Sequence, residues 1–152
     1  MPEKETIERA REDEAEGKAP STQAGEFVRA EMHHVREGKH GARSTKQAIA
    51  IGLSKARRAG VKLKPPKKGK AKTRQSAARA YRAGQGETKR KPSATRARAV
   101  RGALKREGHR AAAKKSLARQ ARSAARTRSA ASRSAAAQKA ARTRARRGTK
   151  RK

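Results

Sequence analysis

The side chains of this chain with the clearest chemistry are its lysines and arginines, and that chemistry is phosphate binding. From Lys39 to Lys152 the sequence holds 39 lysine and arginine residues against two acidic residues, Glu87 and Glu107. A segment this positive repels itself in a compact fold unless a polyanion neutralises it. Nucleic acid is the largest supply of regularly spaced phosphates in a cell, and we therefore expect it to be the partner.

Arginine dominates the C-terminal part of the chain, because from Thr73 onward it outnumbers lysine 19 to 8. Guanidinium groups suit bidentate phosphate contacts better than ammonium groups do. On a helical wheel drawn through residues 109 to 147, a group of basic side chains falls within an arc of about 80°. The predicted nucleic-acid-binding residues are this group together with Arg146 and a lysine patch, namely Lys67, Lys68, Lys70, Lys72, Lys115, Arg119, Arg122, Arg126, Arg133, Arg144, Arg146 and Arg147.

The predicted interface contains nothing that would read base edges in a fixed geometry, so we expect sequence-tolerant binding. Proteins that bind single strands stack the bases on aromatic side chains. The two aromatic residues of this chain, Phe27 and Tyr81, cannot form such a platform. Duplex DNA is therefore the favoured ligand, and structured RNA is the alternative.

The histidines are the other side chains with distinctive chemistry. His33, His34 and His40 can be drawn with Glu37 as a metal cluster, and His109 lies far along the chain. Adjacent histidines point to different faces of a helix, however, and no second set of strong ligands is present. We predict histidines that face solvent or phosphate, with no metal and no cofactor. The chain also lacks the material for a concave, water-excluding pocket, so we predict that it is not an enzyme.

Few residues of this sequence are suited to a large hydrophobic core. The net charge is +33, and the large aliphatic side chains are concentrated between Phe27 and Leu63. Low hydrophobicity with high net charge is typical of chains that cannot offset the entropy of ordering. We predict a mainly α protein in which a short helical hairpin precedes a long basic tail, largely disordered or only conditionally helical.

The first helix of the hairpin is predicted over residues 25–37. Its large apolar residues Val28, Met32 and Val35 recur at helical spacing and form one stripe. Gly38 is a suitable position for the helix to end.

The second helix, residues 44–59, is bounded by two capping signals. Ser44 opens it, and Gln47 completes a capping box three residues later. Gly60 closes it, and we expect the chain to fold back there in the manner of a glycine cap. The residues expected to cover the last turn are Val61 and Leu63, and the predicted apolar face of the helix comprises Ile49, Leu53 and Ala56.

Four segments follow from these patterns. Their predicted bounds are 1–24 for an acidic disordered arm, 25–63 for the helical hairpin, 64–72 for a Lys/Pro linker and 73–152 for an Arg/Ala/Ser-rich nucleic-acid-binding tail. The hairpin alone is marginal as a domain, so we expect a homodimer through residues 25–63, or nucleic acid, to stabilise it. The acidic N-terminus is not a secretory signal and no apolar run is long enough to cross a bilayer, which predicts a cytoplasmic, nucleoid-associated location.

One segment carries a family resemblance. Residues 26–61, EFVRAEMHHVREGKHGARSTKQAIAIGLSKARRAGV, resemble a family of small, basic, uncharacterised bacterial proteins, with the matching core at residues 31–39 and 46–54. That family is a domain of unknown function, so the resemblance implies no catalytic residues. The remainder is similar in composition to the Lys/Arg/Ala-rich tails of linker-histone-like bacterial proteins, and this likeness implies DNA compaction.

Together these patterns predict a non-enzymatic, histone-like DNA-binding protein that binds phosphates through its tail without strong sequence preference. Two alternatives stay open at this point. One is an RNA-binding or ribosome-associated basic protein. The other is a protein-interaction module in residues 25–63, to which the tail contributes only charge.

Overall fold

The computed structural model describes residues 3–86 and 93–149, with side chains described as far as residue 146. Within those residues the chain is helical, without strands, and the prediction of a mainly α protein is confirmed. The helices are α1 (Lys4–Ala15), α2 (Pro20–Arg36), α3 (Thr45–Arg58), α4 (Ala71–Gly84), α5 (Ala94–Lys105), α6 (Lys114–Arg126) and α7 (Ala130–Thr149), with a short 3-10 turn at Arg110–Ala112.

The chain divides into two compact units, Met1–Ser116 and Leu117–Lys152. The first unit contains α1 to α5 and the 3-10 turn. The second contains α7 and most of α6. The two units differ in kind, since all the buried side chains among the described residues belong to the first.

The core of the first unit is built around Phe27, whose exposed fraction is 2%. Ala10 of α1 and Val61, which follows α3, belong to the same buried cluster, and Ile7 packs against it. The sequence predicts a disordered arm over residues 1–24, but the structure forms α1 there. Ile7 and Ala10 are too few to form a core by themselves, but in the folded chain they pack in the cluster that contains Phe27.

Helix α2 begins earlier than the predicted position 25, because Pro20 occupies its first turn. The fixed φ of proline suits that position, and its missing N–H removes no intrahelical bond there. The predicted stripe is confirmed in part, since Met32 and Val35 are buried while Val28 is half-buried.

Helices α2 and α3 cross at close range through small residues of α3. The buried positions of α3 include Thr45, Ala48, Gly52 and Ala56. A Cβ at position 52 would lie 2.7 Å from the Cα of Val28, so only glycine permits this approach. The predicted apolar face is therefore only partly correct: Ala56 is buried, whereas Ile49 and Leu53 are half-buried, and Leu53 packs against the Phe27 cluster.

Both predicted ends of α3 are present. The Ser44 hydroxyl accepts a hydrogen bond from the Gln47 N–H at 3.2 Å. The Gln47 side chain accepts from the Arg43 N–H at 3.0 Å rather than from Ser44, which shifts the second half of the predicted capping box by one residue. At the other end Gly60 has a φ of +99°, and the Val61 N–H donates to the Ala56 carbonyl at 3.2 Å, as in a Schellman cap.

The described residues after the hairpin are mostly helical, and the predicted long disordered tail is not supported. Ala77 and Ala80 of α4 are buried where that helix packs on α3. The loop before α3 is pinned by backbone hydrogen bonds, from Gly41 to the Leu104 carbonyl at 2.9 Å and from Ala42 to the Gly108 carbonyl at 3.0 Å. Alanine faces and backbone groups supply these contacts, so a count of large apolar residues does not reveal them.

The crossing of α2 and α3 predicts a strong effect at Gly52. Gly52→Ala should lower the free energy of unfolding by roughly 1–3 kcal/mol, because the new methyl group forces the helices apart. Gly25→Ala is the matched control, since a Cβ at position 25 of α2 meets nothing within 4 Å. That control should be neutral or stabilising, because alanine favours a helix over glycine. Urea unfolding of both variants is the measurement, and equal effects at the two positions would contradict the close crossing.

Candidate nucleic-acid interface

The second unit consists of helices without a core. No residue from Leu117 to Arg146 is buried, and only Leu117 and Gln120 are half-buried. Alanine and arginine favour helix strongly, and the backbone hydrogen bonds within each helix satisfy its own groups. The helices of this unit therefore depend on local structure, whereas α1 to α4 of the first unit bury side chains and α5 buries none.

The helical wheel drawn through residues 109–147 treats this segment as one helix, but the chain leaves helical geometry twice. It forms the 3-10 turn before α6, and it breaks again at residues 127–129. At the second break the Ser129 hydroxyl accepts from the Ser132 N–H at 3.2 Å and caps α7. Serine is a preferred N-cap residue, so Ser129 is the signal from which this break could have been predicted. The arc of about 80° drawn through both helices does not exist as one stripe.

Each helix nevertheless carries its own row of basic residues. On α6, Arg119, Arg122 and Arg126 follow at spacings of three and four residues, and all three are exposed. Such spacings place them on one helix face. Lys115 is exposed and lies four residues before Arg119 in the same helix. None of these four side chains forms an ion pair with any residue in the described ranges 3–86 and 93–149.

On α7, Arg133 and Arg144 are exposed and eleven residues apart, close to three helical turns, so they share a face. Arg146 is exposed as well. Arg147 lies in the backbone of α7, but its side chain is outside the described part of the structure. Arg133 and Arg144 thus form a second basic row, on a helix separate from α6, whereas Arg146 lies about 200° around the helix from Arg144 and faces another side.

The predicted lysine patch belongs to the first unit. Lys67, Lys68 and Lys70 are exposed in the segment between α3 and α4, and Lys72 is exposed in the first turn of α4. No acidic residue lies in that first turn. Positive charge at a helix N-terminus opposes the helix dipole, which makes this an unfavourable arrangement unless an anion is near.

The acidic residues are all in the first unit, and several of those near the N-terminus pair with basic groups there. Glu5 pairs with Arg9 at 2.9 Å, and Glu14 pairs with Lys62 at 3.3 Å. Hydrogen bonds from His34 and Lys39 hold the pKa of the Glu3 carboxyl below its ordinary value. The second unit, by contrast, contains thirteen lysine and arginine residues and no acidic residue.

The histidines depart from the prediction that all would face solvent or phosphate. His33, His109 and Glu37 are exposed. The side chains of His34 and His40 are only 12% and 16% exposed. They lie with Glu31, a fully buried residue absent from the predicted site, and one ligand atom of each lies within 4.8 Å of the others. The available signal was the three-residue spacing of Glu31 and His34, which puts both on one face of α2.

Comparison with known proteins finds a family model that matches one part of this architecture. Residues 18–68 match the model of a family of unknown function, DUF6496, and this confirms the predicted resemblance to an uncharacterised domain family. The match includes α2, α3 and the lysine-rich segment as far as Lys68, whereas α1 and α4 to α7 lie outside it. The chain matches no curated protein and no solved structure. In the described residues, no helix is both long enough and apolar enough to span a membrane.

The cap at Ser129 yields a prediction about α7. Ser129→Ala should reduce the helicity of the first turn of α7, because loss of an N-cap typically costs about 0.5–2 kcal/mol of helix stability. Ser134→Ala is the matched control, since Ser134 is an exposed residue inside the same helix. Helical chemical shifts of residues 130–134, measured by NMR on the full chain, report the difference. Equal shifts in the two variants would show that Ser129 does not set the start of α7.

Proposed function

We propose that this protein is a non-enzymatic, sequence-tolerant DNA-binding protein of the histone-like type, acting in the nucleoid. Its phosphate contacts come from the basic rows of α6 and α7, with the lysine patch before α4 as a second contact region. The observation that carries the proposal is the pair of exposed arginine rows on helices that bury nothing. Because such surfaces contribute little to the stability of the fold, their positive charge is better explained by binding to a polyanion.

Electrostatics within α6 supports this proposal. Like charges three or four residues apart destabilise a helix by roughly 0.2–0.5 kcal/mol per pair. Lys115, Arg119, Arg122 and Arg126 form three successive pairs of this kind, with no acidic residue in the helix to offset them. Lys114 and Lys115 add positive charge at the positive end of the helix dipole. A row of phosphates turns each of these repulsions into an attraction and stabilises the same helix.

The aromatic residues favour a duplex over a single strand. Phe27 is 2% exposed and Tyr81 is half-buried, so the described surface has no aromatic platform on which unpaired bases could stack. Arginines in a row on a helix suit contacts with a phosphate backbone instead. Duplex DNA is therefore the first ligand to test, with structured RNA of matched length as the comparison.

The decisive experiment measures how binding depends on salt. Each phosphate contact that is lost should reduce the slope of log K against log salt concentration by roughly 0.9 on duplex DNA. Replacing Arg119, Arg122, Arg126 and Arg133 together with glutamine should therefore lower the slope by up to about 3.6. Glutamine has a helix propensity close to that of arginine, so the helices themselves should persist. Fluorescence anisotropy with full-length protein and labelled duplex DNA gives the slope.

The matched control replaces the same four arginines with lysine, which keeps the charge and removes the guanidinium fork. The lysine variant should keep most of the salt slope and lose part of the affinity, since only bidentate geometry is removed. A glutamine variant with an unchanged slope would overturn the role of these residues. Tighter binding to structured RNA, with release from cell lysate by RNase rather than DNase, would replace DNA with RNA as the ligand.

A further inference from the structure

The buried carboxylate of Glu31 is the feature of the first unit that apolar packing leaves unexplained. Its side chain is fully buried in α2. One oxygen, Oε2, accepts from Nζ of Lys55 on α3 at 2.5 Å. The other oxygen, Oε1, is buried without a hydrogen-bond partner. Buried polar atoms of this kind are rare in folded proteins, and each one calls for a specific explanation.

The unpartnered oxygen faces His40, whose Nε2 lies 3.2 Å from Oε1 without the alignment of a hydrogen bond. The other ring nitrogen, Nδ1, lies 3.0 Å from the carbonyl oxygen of Gly41. A carbonyl only accepts hydrogen bonds, so Nδ1 carries the proton in this contact. In a neutral ring Nε2 then presents its lone pair, which is repelled by a carboxylate oxygen and attracted by a cation.

A third ligand lies beside this pair. His34 follows Glu31 by three residues on α2, and the ligand atoms of Glu31, His34 and His40 all lie within 4.8 Å of one another. The rings of His34 and His40 meet edge to face at 78°, with their centroids 6.2 Å apart. Nε2 of His34 also lies 2.9 Å from a Glu3 carboxylate oxygen. Carboxylates commonly hold histidine rings in this way at metal sites.

We propose that Glu31, His34 and His40 form a binding site for a divalent transition-metal ion, with Zn²⁺ as the first candidate. Two imidazoles and one carboxylate are a donor set suited to zinc, nickel, copper or ferrous ions, whereas Ca²⁺ and Mg²⁺ prefer oxygen donors throughout. In a tetrahedral zinc site with bonds near 2.0–2.1 Å, neighbouring ligand atoms are about 3.3 Å apart. The separation of 3.2 Å between Nε2 of His40 and Oε1 of Glu31 agrees with a shared ion.

The surrounding charges define the character of the site. Lys55 engages Oε2, so Glu31 offers a single oxygen, and the ammonium group weakens cation binding at short range. Three protein ligands leave one tetrahedral position for water, as in open zinc sites rather than closed structural ones. The ion would connect α2 to the loop that precedes α3. All three ligands lie within the segment 18–68 that matches the family of unknown function.

The test measures metal binding by the full chain in the absence of nucleic acid. After dialysis against a chelator, titration with Zn²⁺ in a calorimeter should give one ion per chain. His40→Gln and His34→Gln should each lower the affinity at least tenfold. His33→Gln is the matched control, because His33 neighbours His34 on α2 but is exposed and outside the cluster. It should leave the affinity unchanged.

Two further variants distinguish a change in metal binding from a change in folding. Glu3→Gln neutralises the carboxylate behind His34, which Lys39 also contacts, and should lower the affinity roughly tenfold. Lys55→Gln removes the neighbouring positive charge and should raise it. Circular dichroism checks that each variant remains helical, and visible absorption of bound Co²⁺ reports coordination directly. Failure of the wild-type chain to bind one ion, or an equal loss in His33→Gln and His40→Gln, would overturn the site. Neither result bears on DNA binding, which the salt series tests separately.

Discussion

The close crossing of α2 and α3 is the constraint on which the first unit depends. Gly52 has no side chain to separate the helices, so the backbone of Val28 approaches closely enough that a methyl group would collide with it. This approach places Glu31 of α2 against Lys55 of α3. The Lys55 side chain is 27% exposed, but the Glu31 carboxylate is fully buried, so loss of Lys55 would leave a desolvated charge without its partner. Sliding α2 along α3 would separate Glu31 from Lys55 and move Val28 away from Gly52. The ion pair and the close contact therefore favour the same alignment of the two helices.

The two units differ in what stabilises their helices. In the first unit, side chains from α1, α2 and α3 are buried together, and the loop before α3 is hydrogen-bonded to the segment after α5. In the second unit, helices form from residues of high helix propensity with no buried side chain as far as residue 146. Salt screens exposed charges but not the apolar contacts in the core of the first unit. Helices α6 and α7 contain no acidic residue, so their stability responds to the anion that is present.

The success of sequence-based prediction follows the size of the residues involved. Met32 and Val35 are large and recur at helical spacing, and both are buried as expected. The packing face of α3 was only partly recognised, because Ala48 and Gly52 carry little hydrophobic signal although they allow the closest contact. Helix α1 was missed for a related reason. Its one large apolar residue, Ile7, acquires a partner only when Phe27 and Val61 are assembled from other parts of the chain.

The sequence by itself determined what depends on near neighbours and on total charge. Ser44 and Gly60 bound α3 because capping involves backbone groups only a few residues away. The excess of lysine and arginine likewise indicates a polyanionic partner whatever fold the chain adopts. Only the tertiary structure decided that Glu31, His34 and His40 form a cluster. The loop that carries His40 is held by the hydrogen bond from Ala42 to the Gly108 carbonyl, and Lys55 of α3 pairs with the buried Glu31. Both contacts join distant parts of the chain, so residue spacing does not reveal them.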